Sequence, residues 1–120
     1  MGKYVDGFVL PVPKSNVEAY RKIAADAGKV WMEYGALEYL ECVAEDVKPG
    51  EVTSFPQSVN LEPDETVVFA WIVYESREHR DRVNEKVMAD PRMKGDPTTM
   101  PFDAKRMIYG GFEVLVEERV

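Results

Sequence analysis

The apolar positions of this chain switch between an alternating period and a three- to four-residue period, and the switches mark out its elements. Residues 4–12, YVDGFVLPV, alternate and are rich in β-formers, and Pro11 and Pro13 close the run, which predicts a first strand. A helix follows. Ser15 stands at an N-cap position with Glu18 three residues on, Val17, Tyr20, Ala24, Ala27, Trp31 and Tyr34 form one stripe, and Gly35 is a natural stop. Residues 36–46, ALEYLECVAED, alternate again and predict a second strand, broken off by Pro49-Gly50. The polar stretch 47–65 has little periodicity, and a connection of that length in a compact domain is often functional or packs over something. TVVFAWIVYE, 66–75, is apolar on both parities and predicts a third strand. Ser76 is placed to cap a second helix over 77–90, with His79, Val83 and Val87 at four-residue steps and Pro91 at its end. A Gly/Pro/Thr-rich connection, 94–104, leads to a fourth strand within KRMIYGGFEVLVEE, 105–118.

The order β-α-β-β-α-β predicts a single α+β domain over residues 1–120, ferredoxin-like, with a four-stranded antiparallel sheet. Two helices cover only one face of such a sheet, so the second apolar face of the third strand requires a partner. The simplest partner is a second copy, packed sheet to sheet as a dimeric α/β barrel across an interface above roughly 1,600 Å². If close helix packing selects small side chains, the parity holding Val5, Gly7, Val9, Leu40, Cys42, Ala70, Ile72, Ile108 and Gly110 faces the helices. The other parity is then expected to line the barrel. It supplies Tyr4, Phe8, Tyr39, Phe69, Trp71 and Tyr109 as candidate ligand-binding residues, and the carboxylates Asp6, Glu41 and Glu113. Aromatic walls with a few polar groups are the composition of a small-molecule pocket. On this assignment Gly110 admits a helix, Gly111 leaves space beside Trp71 or Tyr109, and the pair forms a bulge.

Hydrophobic residues at 45% and charged residues at 31% are globular composition. A net charge of −7 and a pI near 4.8 oppose a nucleic-acid partner. The longest apolar run, 67–74, is too short to span a bilayer, the start MGKYVDGFVL lacks a signal-peptide h-region, and Asp6 stands where myristoylation favours Ser or Thr. A soluble, cytoplasmic protein with no membrane partner is expected. One cysteine, Cys42, fits a reducing compartment and reads as a small hydrophobe. No ligand spacing or motif requires a metal or a cofactor, and none is expected.

Asp6, Glu41 and Glu113 are candidates for a general base or for hard-cation ligands if they converge. His79 is the single histidine, so any histidine chemistry uses it.

The stretches YVDGFVLPVPK, AGKVWMEYGALEYLECVAEDV, TSFPQSVNLEPDETVVFAWIVYESREHRDRVNEKVMADPRM and MPFDAKRMIYGGFEVLVE, nearly the whole chain, resemble the YbaA-like family of small bacterial proteins of unknown function. The resemblance implies a place in the dimeric α/β barrel superfamily, which includes cofactor-free monooxygenases, haem-degrading enzymes and stress-response barrels. In the haem-degrading members an asparagine on the first strand, a tryptophan on the third and a histidine on the following helix act together. Here Asp6, Trp71 and His79 stand in those elements, with Asp in place of Asn. The family has no established reaction, and it is the two-sided third strand with the aromatic and acidic parity that leads to the expected function, a homodimer binding a small, partly aromatic or cationic metabolite. The alternatives are a non-enzymatic stress or interaction module with a filled barrel, and a monooxygenase-like or haem-linked enzyme.

Overall fold

The computed structural model describes residues 3–120, the side chain of Pro97 aside, so the Met1-Gly2 start lies outside the described residues. The elements are β1 (Tyr4–Pro13), α1 (Val17–Glu33), β2 (Glu38–Val43), α2 (Phe55–Ser58), β3 (Glu65–Tyr74), α3 (Arg77–Ala89) and β4 (Ile108–Glu113). The strands form one antiparallel sheet in the order β2-β3-β1-β4, the ferredoxin-like arrangement that the element order predicts. Among the described residues no helix is long and apolar enough to cross a membrane.

Local chemistry explains most of the boundaries. The Ser76 hydroxyl accepts the His79 N–H and starts α3, and α1 ends at Tyr34 with Gly35 at φ +111°. The entry to α1 differs from expectation. A 3₁₀ turn over Lys14–Asn16 precedes it, and Asn16, not Ser15, holds the cap position without a side-chain bond to the helix. β2 is shorter than the alternating run around it. The stretch 47–65 contains α2, opened by Ser54 accepting the Gln57 N–H, and Phe55 of α2 lies 5.7 Å from Phe69.

Register corrects the expected sorting of the two sheet faces. Residues directly opposite on neighbouring strands share a face. Tyr4 pairs with Tyr74, Asp6 with Ile72, Phe8 with Ala70, and Leu10 with Val68, while Tyr39 and Glu41 pair with Ile72 and Ala70. Tyr109, Gly111 and Glu113 pair with Phe8, Asp6 and Tyr4. All of these lie on the helix side, where Tyr4, Ile72 and Tyr74 form one core with Val30, Val83 and Val87. The parity expected for β3 holds, but those of β1, β2 and β4 are the reverse of the expectation. Val5, Gly7, Val9, Leu40, Cys42, Ile108 and Gly110 share the opposite face with Phe69 and Trp71. The reason is size complementarity in the other direction. The helices contribute the small residues, Ala24, Gly28, Val83 and Val87, and the sheet contributes the large rings.

The glycines of β4 also differ from expectation. Its register with β1 is continuous from Ile108 to Glu113, so there is no bulge. Gly111 makes room for Tyr4, since a Cβ there would lie 2.3 Å from the Tyr4 hydroxyl, while Gly110 is on the face away from the helices.

That second face is uncovered over much of its area. Leu40, Phe69, Ile108 and Phe112 are exposed on it, and Phe69 packs on Trp71 with ring centroids 5.4 Å apart.

Candidate functional site

The predicted site residues divide among three places. Tyr4 and Asp6 belong to a buried structural pair beneath α3. The Asp6 carboxylate accepts a 2.6 Å bond from Arg80 Nη1, and the guanidinium lies 4.9 Å from the centre of the Tyr4 ring. Phe69 and Trp71 are on the open face, and the Trp71 indole donates to Glu38 at 3.3 Å. Phe8, Tyr39 and Glu41 meet on the helix side, at a cleft between α1 and the sheet. Tyr109 is exposed on the outer strand and stacks on Phe8 at 6.2 Å, and Glu113 is exposed at the end of β4.

Asp6, Glu41 and Glu113 therefore share a side of the sheet but not a site. Each of the first two is engaged by different partners, and among the described residues no three His, Cys, Asp or Glu side chains gather as a metal centre requires. The haem-type trio is not assembled either. His79 packs edge-on against Tyr74 on the helix side, whereas Trp71 is on the opposite face. The Glu75 N–H donates to His79 Nδ1 and the His79 N–H is bonded to Ser76, which gives the residue a capping role at the start of α3.

The cleft has two neighbouring parts whose linings share Tyr20, Tyr39 and Glu41. An outer groove of about 370 Å³ runs between α1 and β2, walled by Val17, Ala24, Val43 and Val68. An inner slot of about 140 Å³ is lined by Phe8, Trp31, Phe102 and Met107. Where they meet, Tyr20 donates to Glu41 Oε1 at 2.7 Å and Tyr39 donates toward Glu41 Oε2 at 2.9 Å and the Ala24 carbonyl at 3.0 Å. The close approach that sets Tyr39 under the helix depends on Gly28, where a Cβ would lie 2.7 Å from the ring. Trp31 is fixed from behind, its indole N–H shared between the Tyr74 hydroxyl at 3.1 Å and Asn84 Oδ1 at 3.2 Å.

Burial first, and then the Glu41 carboxylate, raise the Tyr20 and Tyr39 hydroxyls far above the usual phenol range, so both stay protonated donors. Burial likewise raises Tyr74, aided by the charge of Asp6. A raised folded pKa favours the protonated form, so this stabilisation is complete below the unfolded phenol value of about 10 and declines as pH rises above it. Urea midpoints are expected to fall between neutral pH and pH near 11, and the fall to be smaller in the double variant Tyr20→Phe/Tyr39→Phe. An equal fall in both proteins would contradict a role for these phenols.

A second cleft, about 540 Å³, lies between α1 and the 92–100 connection. Its arginine is already engaged: Arg92 bonds Asp90 and Glu33, and Tyr34 donates to Asp90 at 2.7 Å. Arg92 and Tyr34 hold the Asp90 carboxyl well below its ordinary range, as a structural clasp would.

Tyr20, Trp31, Phe102 and Met107 were missed as site residues. Tyr20 and Trp31 sit on a helical stripe that reads as core, and Phe102 and Met107 fall in a stretch without periodicity.

The family described as "Protein of unknown function (DUF1428)" matches residues 3–104. The "Uncharacterized protein YbaA" of Escherichia coli K12 is 54% identical over 116 residues, 97% of this chain and 99% of the relative, and that of Shigella flexneri matches to the same extent. Two solved structures share the fold. A putative antibiotic biosynthesis monooxygenase from Nitrosomonas europaea superposes with TM-score 0.54 at 14% identity, over 96% of this chain and 93% of the other. An uncharacterized NIPSNAP domain protein from Burkholderia xenovorans gives 0.55 at 16%, over 96% and 99%.

Proposed function

Because the chain belongs to the DUF1428 family of proteins of unknown function, its role is read from the site, and we propose that it is a homodimer binding a small organic molecule in the cleft between α1 and the sheet of each protomer. One observation carries this reading: a solvent-facing carboxylate, Glu41, held by two phenols at the junction of an apolar groove and an aromatic slot. A core built only for stability has no need of an open space walled by rings around a charge. The site is within the protomer, under α1, rather than in the space between two sheets.

The open face supports the pairing. It is largely apolar, with Leu40, Phe69, Ile108 and Phe112 exposed and Glu38 at the β2 end bonded by Trp71, and a second copy offers a surface of equal size and the same chemistry about a two-fold axis. Sedimentation at micromolar concentration is expected to give twice the 13.7 kDa of the chain, and a stable monomer would remove this part of the proposal.

Binding is the step that the cleft supports. The likeness to a putative monooxygenase is one of fold, at 14% identity, and no oxygenase chemistry is carried over from it. A thermal-shift screen of small aromatic compounds is expected to yield dose-dependent stabilisation that Glu41→Gln reduces about tenfold in apparent affinity, the loss of one charge-assisted contact. A screen blank across cationic, neutral and anionic compounds would favour an interaction module instead.

A further inference from the structure

Resting on that cleft, we infer that its ligand is an organic cation: a planar ring for the inner slot joined to an ammonium or similar donor that bonds Glu41. The inference comes from an inventory of donors and acceptors. The hydroxyl protons of Tyr20 and Tyr39 are directed at Glu41 and the Ala24 carbonyl. The Trp31 N–H is directed away, at Tyr74 and Asn84. What the junction offers a ligand is therefore carboxylate and phenol lone pairs, together with the faces of aromatic rings.

Lone pairs, a negative charge and aromatic faces are complementary to a cation that donates hydrogen bonds, and they repel a carboxylate or phosphate. Among the described residues Arg21 is the one cation lining the outer groove, and it is exposed at the mouth with its guanidinium 3.2 Å from Glu18. The chain's net charge of −7 adds a long-range bias of the same sign. The slot of about 140 Å³ suits a single ring, and the apolar groove beside Glu41 leaves a path for an alkyl substituent.

Three probes of matched shape test this: phenethylamine, 2-phenylethanol and 3-phenylpropionate, titrated by calorimetry and by the ¹⁵N-resolved indole signal of Trp31. Phenethylamine is expected to bind at least about tenfold more tightly than the alcohol, because its donor brings a full positive charge to the carboxylate, and phenylpropionate most weakly. Glu41→Gln should remove most of the amine's advantage, weakening the amine more than the alcohol, and added salt should weaken the amine most. Binding of the alcohol and the acid at Trp31 with no advantage for the amine would overturn the cation assignment and leave the cleft standing. No shift at Trp31 with any of the three would overturn both. Because the glutamine amide of the Glu41→Gln variant retains an oxygen for the two phenols, that protein is expected to fold. A Tyr20→Phe variant that keeps the amine preference supports the same assignment independently, and loss of that preference with folding intact would count against the carboxylate as anchor.

Discussion

Replacing Arg80 by methionine is expected to cost about 3–5 kcal/mol of folding stability, the range found when one partner of a buried ion pair is removed. Its partner Asp6 is only 6% exposed, and Arg80 Nη1 is 2.6 Å from the carboxylate. Losing the guanidinium leaves that carboxylate without its counter-charge beneath α3, and removes the cation over the Tyr4 ring as well. The double variant Asp6→Leu/Arg80→Met should recover most of the loss, since no isolated charge then remains. Urea denaturation of the three proteins measures the effect. A loss below about 1 kcal/mol for the single change, the scale of an exposed pair, would mean that Asp6 is solvated.

The second large effect concerns the open face. In the proposed dimer, Phe69→Glu is expected to weaken association at least about thirtyfold and leave a monomer at micromolar concentration, as the loss of an aromatic contact of about 2 kcal/mol or more implies. Phe69 is 41% exposed in the single chain and packs on Trp71 and Phe55, so the substitution falls outside the core beneath the helices. The variant monomer should keep its helical circular dichroism while exposing more dye-binding surface. Unchanged sedimentation of Phe69→Glu would place any dimer contact elsewhere.

The ferredoxin-like order was legible because each element carries its own period and its own punctuation: the Ser76 cap, the Gly35 stop, and the breaks at Pro49-Gly50 and Pro91. The two-sided apolar character of β3 correctly indicated that both faces need cover, but the expectation that no further element of the chain reaches the second face failed: α2 lays Phe55 on Phe69 there, and Val67 is buried. What was not legible is which face of β1, β2 and β4 the helices cover. Within one strand, alternation groups residues by parity, but the match of one strand's parity to another's is set by register, and register is a property of the pairing. The pairs Tyr4–Tyr74 and Tyr39–Ile72 decide it. The expectation that small sheet residues meet helices failed because here the helices carry the small residues. Gly28 over Tyr39 is the clearest instance.

The candidate site was half legible for the same reason. Glu41, Tyr39 and Phe8 were singled out by a charge and rings on one parity, and they do share a cleft, on the helix side of the sheet rather than inside a barrel. Tyr20 and Trp31 looked like ordinary core on their helical stripe. Only the geometry of their hydroxyl and indole bonds separates them from it. Asp6 shows the converse: a carboxylate in a strand reads as functional, but its engagement by Arg80, 74 residues away in sequence, makes it structural.

The two tryptophans report on the two faces separately, Trp31 in the cleft and Trp71 on the open side. The most direct test of the cleft as the ligand site is therefore a ¹H–¹⁵N correlation spectrum of the indole signals, recorded during titration with a mixture of cationic, neutral and anionic aromatic compounds. A ligand in the cleft shifts the Trp31 signal in a saturable way and leaves Trp71 in place. Saturable shifts of Trp71 with Trp31 unmoved would contradict the account and put the binding site on the open face of the sheet.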